Sequence, residues 1–161
     1  MVGQKNFNAH VYTDTMDDRV ASFHGNRYGQ VFAKKYYFVD VYPIKKKSHC
    51  GDGLSEFITD YGVPLEMTFD GSKEQTIPST DFMKKISKYD IDYHILEPDR
   101  PNQNPAEGVI REFRRKWFRM MVQNRVPRRL WDYGSCNACK VMQHTASHSG
   151  RLNGCIVMLN L

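Results

Sequence analysis

This sequence of 161 residues contains no long apolar run and little cysteine, and both shortages restrict what the protein can be. No apolar stretch approaches the about 20 residues that a membrane-spanning helix needs. The four cysteines are unevenly spaced, and the first residues lack the pattern of a secretory signal peptide. We therefore expect a soluble, intracellular protein with reduced thiols, no disulfide framework and no membrane partner.

Acidic residues are scarce in one segment, residues 111–129, where basic residues are dense. The formal net charge of the chain is +5 and its pI is about 9.0. Glu112 is the only acid among the basic residues of this segment, which are Arg111, Arg114, Arg115, Lys116, Arg119, Arg125, Arg128 and Arg129. A smaller cluster comprises Lys45, Lys46, Lys47, Lys84 and Lys85. A solvated helix face is the ordinary interpretation, but a dense positive field beside Glu107 favours a nucleic acid as partner.

Strand and helix patterns alternate along the chain. Residues rich in Val, Tyr, Phe and Thr predict a hairpin from 10–16 and 30–43, with part of a third strand within 34–42, and short strands at 65–69 and 90–96. Helices are predicted at 48–61 with Ser48 as N-cap, at 79–89 with Ser79 or Thr80 as N-cap, at 106–124, and from Pro127 to about 147. Residues 98–105 read as a loop. On the last two helices we expect Ile110, Phe113, Trp117, Met120 and Met121 to form one buried stripe, and Leu130, Trp131 and Tyr133 to pack inward. The expected fold class is α/β, a mixed sheet with helices on both faces.

Three carboxylates stand at distinctive places in this pattern. Asp14 lies in the extended run Val11-Tyr-Thr-Asp-Thr15, Asp70 ends a strand before Gly71, and Glu107 follows Pro101-Asn-Gln-Asn-Pro-Ala at the start of the long helix. Carboxylate oxygens are the ligands that hard divalent cations prefer. Three such groups brought together would suit two metal ions, and their mutual repulsion should raise the pKa of one of them in the absence of metal.

These motifs resemble the catalytic core of retroviral and retrotransposon integrases, closest to copia-type long-terminal-repeat retrotransposons. The resemblance rests on Asp-Gly followed by Pro-x-x-Asn-x-x-Glu at a helix start, and it spans Ala9 to Gly154. The spacing before Glu107 is one residue longer than in the commonest version of the motif, which an insertion near Asp99 would absorb. The resemblance implies a DDE-type polynucleotidyl transferase with an RNase H-like, five-stranded fold. In that fold Asp14 would lie on the first, central strand, Asp70 at the end of the fourth strand, and Glu107 on the helix laid across the sheet edge.

Roles for individual residues follow from that resemblance. Asp14 and Asp70 would bind one Mg²⁺ or Mn²⁺ ion, and Asp14 and Glu107 a second. The residues expected to bind nucleic acid are Gln103, Asn104, Arg111, Arg114 and Arg115. The partners would be the DNA ends of the element and target DNA, with the protein acting as a homo-oligomer in the nucleus. Lys45 to Lys47 is too short a run to count as an import signal.

Other residues offer alternatives to these assignments. Asp17 and Asp18 are rivals for the first carboxylate, and Asp40 is a further candidate that we interpret as a neighbour of the site or an edge residue. Glu74 could orient the loop after Asp70, although a solvated acid is the simpler interpretation. A zinc site could be formed by Cys136 and Cys139 with His144 and His148. We favour the interpretation that the two cysteines are buried free thiols.

The expected organisation is a flexible segment at 1–8, an integrase catalytic core at 9–150 and a truncated or irregular tail at 151–161. We interpret the chain as a fragment of a longer polyprotein. The predicted function is DNA integration by two-metal 3′ end processing and strand transfer. Two alternatives stay open, a non-enzymatic nucleic-acid-binding remnant of a retroelement and an RNase H-like nuclease without joining activity.

Overall fold

A five-stranded mixed sheet forms the centre of the computed structural model, which describes residues 9–35, 38–97 and 106–144. Its strand order is β3-β2-β1-β4-β5. The strands are β1 (His10–Asp17), β2 (Tyr28–Ala33), β3 (Val39–Ile44), β4 (Glu66–Phe69) and β5 (Asp92–Ile95). The first three strands are antiparallel neighbours, whereas β4 pairs parallel with β1 and β5 parallel with β4. The predicted hairpin and the central position of β1 are confirmed.

Helices cover both faces of this sheet, as predicted. They are α1 (Cys50–Tyr61), α2 (Lys73–Thr76), α3 (Asp81–Lys88), α4 (Glu107–Gln123) and α5 (Trp131–His144), with short 3-10 helices at Lys47–His49 and Arg128–Leu130. No helix in the described ranges is both long enough and apolar enough to cross a bilayer.

The buried side chains divide into two clusters because successive residues of a strand point to opposite faces. Val11 belongs to the cluster beneath α1 and α3, while Tyr12 and Met16 belong to the cluster beneath α4 and α5. Since β1 is covered on both faces, the adjacent residues Val11 and Tyr12 are both buried. The same two-residue period places Asp14 on the α4 side of the sheet.

Helix α4 packs on the sheet through one stripe of apolar side chains. Val109, Ile110, Phe113 and Met121 are buried, and Trp117 is partly buried against the same cluster. The opposite face carries the basic residues, with Phe118 68% exposed. The predicted core stripe is therefore confirmed, and it fixes how the first turn of α4 approaches β1.

Several predicted helix details are wrong. Ser48 is not an N-cap, because it lies within a 3-10 turn and α1 begins after His49, whose side chain makes no capping bond. Tyr133 was expected to pack inward but is 58% exposed. The last α-helix begins at Trp131 rather than at Pro127, since a 3-10 turn comes between them. The four-residue helix α2 was not predicted at all.

Thr80 is the N-cap of α3, one of the two residues predicted for that position. Its hydroxyl accepts a hydrogen bond from the backbone N–H of Met83 at 3.4 Å. The predicted loop at 98–105, the segment 1–8, the end of the last helix beyond His144 and the tail at 151–161 lie outside the described residues.

Candidate functional site

Asp14 lies on β1, and Asp70 is the first residue after the neighbouring strand β4. The parallel register pairs Tyr12 with Thr68 and Thr13 with Phe69, so Asp14 and Asp70 come next on the two strands. Asp14 follows the two-residue period of Tyr12, which places it on the α4 face of the sheet. The charge of Asp70, just past the end of β4, acts on the Asp14 carboxyl. Two carboxylates thus lie side by side at the carboxyl end of the parallel pair β1 and β4.

Glu107 reaches the same region from the first turn of α4. A cleft of about 380 Å³ is lined by Asp14, Glu107, Ile110, Arg111 and Arg114. Ile110 is buried and anchors the helix, while the carboxylate of Glu107 stays exposed. The structure therefore gathers the two predicted carboxylates Asp14 and Glu107 and two of the predicted arginines into one cleft, with Asp70 beside Asp14.

Arg114 makes a direct ion pair with Asp14. Its Nη2 donates to Asp14 Oδ2 at 3.2 Å, across a sequence separation of 100 residues. Burial raises the pKa of the Asp14 carboxyl above its ordinary value; the charge of Arg114 opposes that rise, and the charge of Asp70 adds to it. The pKa of one carboxylate is thus raised, as the sequence predicted, although burial contributes more than carboxylate repulsion.

A buried polar network, which the sequence analysis missed, holds β1 in place from the opposite face. The amide of Gln30 donates to the Thr13 hydroxyl at 2.6 Å, and the Thr15 hydroxyl donates to Gln30 Oε1 at 2.8 Å. Thr13 also donates to the carbonyl of Val31. Gly53 allows this arrangement, because a Cβ there would lie 2.9 Å from Gln30 Cβ. The only sequence signal was polar residues within an apolar run.

The loop after Asp70 is shaped by Ser72 rather than by the acid that we considered. The Ser72 N–H donates to Asp70 Oδ1 at 3.2 Å, and the Ser72 hydroxyl donates to Gln75 Oε1 at 3.2 Å. The Glu74 contact in this region is made by its backbone carbonyl, which accepts from the Cys50 thiol at 3.5 Å. Asp70 therefore sits in a short Asx-type turn, and the residue is exposed.

The basic residues predicted on α4 differ in what they contact. Arg115 donates two hydrogen bonds to Glu112 on its own helix, at 3.0 and 2.8 Å, and so it is partly neutralised. Arg111 is exposed and lines the carboxylate cleft. Arg111 and Arg114 therefore have the better position for a phosphate beside Asp14. Gln103 and Asn104 lie outside the described residues.

The alternative residues lie elsewhere. Asp17 and Asp18 pair with Arg27 and Arg128, at 3.7 and 3.8 Å. Asp40 lies on the edge strand β3, where the Tyr61 hydroxyl donates to it at 2.7 Å.

Cys136 and Cys139 are free thiols. Burial raises the pKa of Cys136 to about 11 and the pKa of Cys139 further. His148 lies outside the described residues, and no zinc-type cluster occurs among those that are described.

The carboxylates suit a divalent cation by chemistry, although they are not gathered around one point. In residues 9–35, 38–97 and 106–144, no three Asp, Glu, His or Cys side chains converge closely enough to hold one ion. Asp14 and Asp70 nevertheless supply adjacent oxygen donors, and Arg114 occupies the Asp14 oxygen with a cationic group. Hard oxygen donors next to a replaceable positive charge fit Mg²⁺ or Mn²⁺.

The raised pKa of Asp14 leads to a stability prediction. Because the folded state holds the proton more tightly than the unfolded chain, stability falls as pH rises through the folded pKa. We expect Asp14→Asn to remove this pH-dependent loss of stability and so to raise the free energy of unfolding at neutral pH. Urea denaturation at acidic and at neutral pH measures the effect. Asp17→Asn, three residues along the same strand, is the control. A less stable Asp14→Asn protein at neutral pH would contradict this account.

Comparisons with known proteins test the fold. No protein-family model matches the chain, and no curated protein matches it. Among solved structures, the HTLV-2 integrase catalytic core domain in complex with magnesium matches in its trimeric form with a TM-score of 0.65 and 14% identity, covering 90% of this chain and 91% of that one. Its dimeric form matches with a TM-score of 0.65 and 14% identity, covering 94% and 97%.

A chain of the simian T-cell lymphotropic virus intasome, in complex with the PP2A regulatory subunit B56 gamma, also matches. The TM-score is 0.66 and the identity 16%, over 88% of this chain and 51% of that chain, so this chain spans about half of its length. The sequence identities are low, whereas the TM-scores of 0.65 to 0.66 extend over 88 to 94% of this chain. The chain therefore has the RNase H-like fold of integrase catalytic cores, as its sequence predicted.

Proposed function

We propose that this chain is the catalytic core of a DNA integrase, a polynucleotidyl transferase of a copia-type retrotransposon. The observation that carries the proposal is the position of Asp14 on β1, next to Asp70 at the end of the parallel strand β4 and in one cleft with Glu107. The exposed arginines of α4 at the same cleft add a surface for DNA. The fold shared with HTLV-2 integrase cores supports the same function.

Three carboxylates would hold the metal ions in this proposal. Asp14 and Asp70 would bind one ion, and Asp14 and Glu107 the other. Two bound Mg²⁺ or Mn²⁺ ions would activate a water or a DNA 3′ hydroxyl as the nucleophile and would stabilise the leaving oxygen. The buried network of Thr13, Thr15 and Gln30 keeps the strand that carries Asp14 fixed.

The arginines would position the DNA backbone. Arg111 is one helical turn from Glu107 and faces the cleft, so its guanidinium can bind a phosphate next to the carboxylates. Such contacts are independent of base sequence and release counterions, which makes binding dependent on salt. Target-site choice would then depend on other contacts.

A cleavage assay on branched DNA tests this function. We expect Mn²⁺-dependent strand cleavage by the purified chain, and EDTA should abolish it. Joined products in addition to nicks would support the transferase over a nuclease without joining activity. A folded protein that binds DNA and neither cleaves nor joins it would favour the remnant, for which the Asp14–Arg114 ion pair is the structural argument.

The ion pair between Arg114 and Asp14 predicts competition between this arginine and metal. Arg114→Ala frees Asp14 Oδ2 and removes a nearby positive charge, so the affinity for Mn²⁺ in the absence of DNA should rise. The rise should be at most about fivefold, because a half-exposed ion pair contributes up to about 1 kcal/mol. DNA affinity should fall in the same variant. Calorimetry and fluorescence anisotropy measure the two effects.

Arg115→Ala is the matched control for that experiment, because it removes an equal charge from the same helix while Arg115 contacts Glu112 instead of Asp14. Metal affinity should stay at the wild-type value in this control. Equal metal affinity in wild type and Arg114→Ala would show that the ion pair does not compete with metal.

We also propose that the functional form is a homo-oligomer acting on DNA in the nucleus. The dimeric and trimeric forms of the HTLV-2 core support the first part. The second part follows from the proposed reaction, because its substrates are element ends and target DNA.

A further inference from the structure

A second basic surface lies at the end of the sheet where Asp14 and Asp70 are found, on the face away from α4. It consists of Lys45, Lys46 and Lys47, which follow the end of β3, together with Arg27 and Tyr28 at the start of β2. The antiparallel register places Ile44 opposite Tyr28, and Tyr28 opposite Asp17. The lysines therefore lie at the same end of the sheet as the carboxyl end of β1, which is a few residues from Asp14.

Arg27 pairs with Asp17 at 3.7 Å, but the positive charge of the three lysines is not compensated by acids in the described part of the chain. All three lysines are exposed, and none of them pairs with a carboxylate within the described part of the chain. Lys47 Nζ lies 5.7 Å from the centroid of the Tyr28 ring, and Arg27 Cζ also lies 5.7 Å from it. Lys85, by contrast, pairs with two aspartates.

Asp14 experiences cations from both sides of the sheet. Arg114 approaches it from α4, and the charge of Lys47, next to α1, also acts on its carboxylate. The Tyr28 ring beside Lys47 packs against the cluster beneath α1, whereas Arg114 contacts Asp14 from α4, so the two cations lie on opposite faces of the sheet. A polyanion whose reacting phosphate sits at Asp14 must continue in both directions, and each direction meets basic side chains.

We propose that Lys45, Lys46 and Lys47, with Arg27 and Tyr28, form a second phosphate-binding surface that holds the DNA backbone on the side of the cleft opposite to α4. This inference rests on the proposed function and extends its DNA contacts to a segment outside the Asp, Asp and Glu motifs. Lysine ammonium groups bind phosphates as point charges, so the surface would add affinity without base preference.

The test is the salt dependence of duplex binding, measured by fluorescence anisotropy in EDTA so that no cleavage occurs. Replacing all three lysines, Lys45, Lys46 and Lys47, by Ala should weaken binding. The negative slope of log K against log salt should become shallower by about 2 to 3, since each lost phosphate contact removes about 0.9 from its magnitude. Replacing the three lysines with Arg should restore the slope.

The matched control is Lys35, Lys88 and Lys140 replaced with Ala, which removes the same charge. Lys35 follows the end of β2 and Lys88 ends α3, both at the opposite end of the sheet from Asp70, and Lys140 lies on α5. An equal loss of slope in this control would overturn the inference, because net charge alone would explain the effect.

Arg111→Ala separates the inference from the proposed function. A reduced slope in Arg111→Ala with a wild-type slope in the Lys45, Lys46 and Lys47 variant overturns the second surface and leaves the function standing. A wild-type protein that binds no duplex overturns both. Reduced slopes in both variants, with an unchanged control, support the second surface.

Discussion

Asp70→Asn should lower the rate of Mn²⁺-dependent DNA cleavage by about a thousandfold. The amide keeps the size of the side chain and can keep the hydrogen bond from the Ser72 N–H, but it removes one anionic oxygen donor from beside Asp14. The loss corresponds to about 4 kcal/mol of transition-state stabilisation. Single-turnover cleavage of branched DNA measures it.

Asp92→Asn serves as the control for this loss, since Asp92 is also an exposed acid but lies at the amino end of the neighbouring strand β5. Its cleavage rate should equal that of wild type. If Asp70→Asn retained wild-type activity while folded, Asp70 would not belong to the metal site, and the assignment of the three carboxylates would be wrong.

Phe113→Ala should destabilise the fold by about 3 to 5 kcal/mol, the usual loss for a large-to-small change at a fully buried phenylalanine. Phe113 is fully buried between α4 and the sheet, and its ring stacks on Trp117 with centroids 6.1 Å apart. This packing holds the helix that carries Glu107 and the cleft arginines. Urea denaturation measures the change.

Phe118 offers a matched control on the same helix. It is the same residue type, five positions further on, and 68% exposed, so Phe118→Ala should change stability by no more than about 0.5 kcal/mol. Similar losses in both variants would mean that α4 does not pack as described.

The sequence predicted the parts of the site that depend on local patterns. Asp14 and Asp70 could be placed because each follows apolar β-forming residues, and the stripe through Ile110 and Phe113 indicated which face of α4 is buried. Thr80 was one of two candidate caps for α3 because a hydroxyl before a helix-forming run is a strong local signal.

The contacts that the sequence did not predict join distant segments. The Arg114–Asp14 pair depends on how α4 lies against β1, and no local pattern encodes that placement. Gln30 was missed because its partners Thr13 and Thr15 lie on the neighbouring strand. The failures at Ser48 and Tyr133 have a related cause, since a 3-10 turn before each α-helix shifts its start and rotates which residues face inward.

The most direct test of the central claim is calorimetric titration of Mg²⁺ or Mn²⁺ into the wild-type chain and into Asp70→Asn. The account predicts metal binding by the wild-type protein and clearly weaker binding by the variant, because Asp70 and Asp14 supply adjacent oxygen donors. A folded wild-type protein that binds DNA but no metal, or equal metal affinity in both proteins, would contradict the proposed metal-dependent transferase.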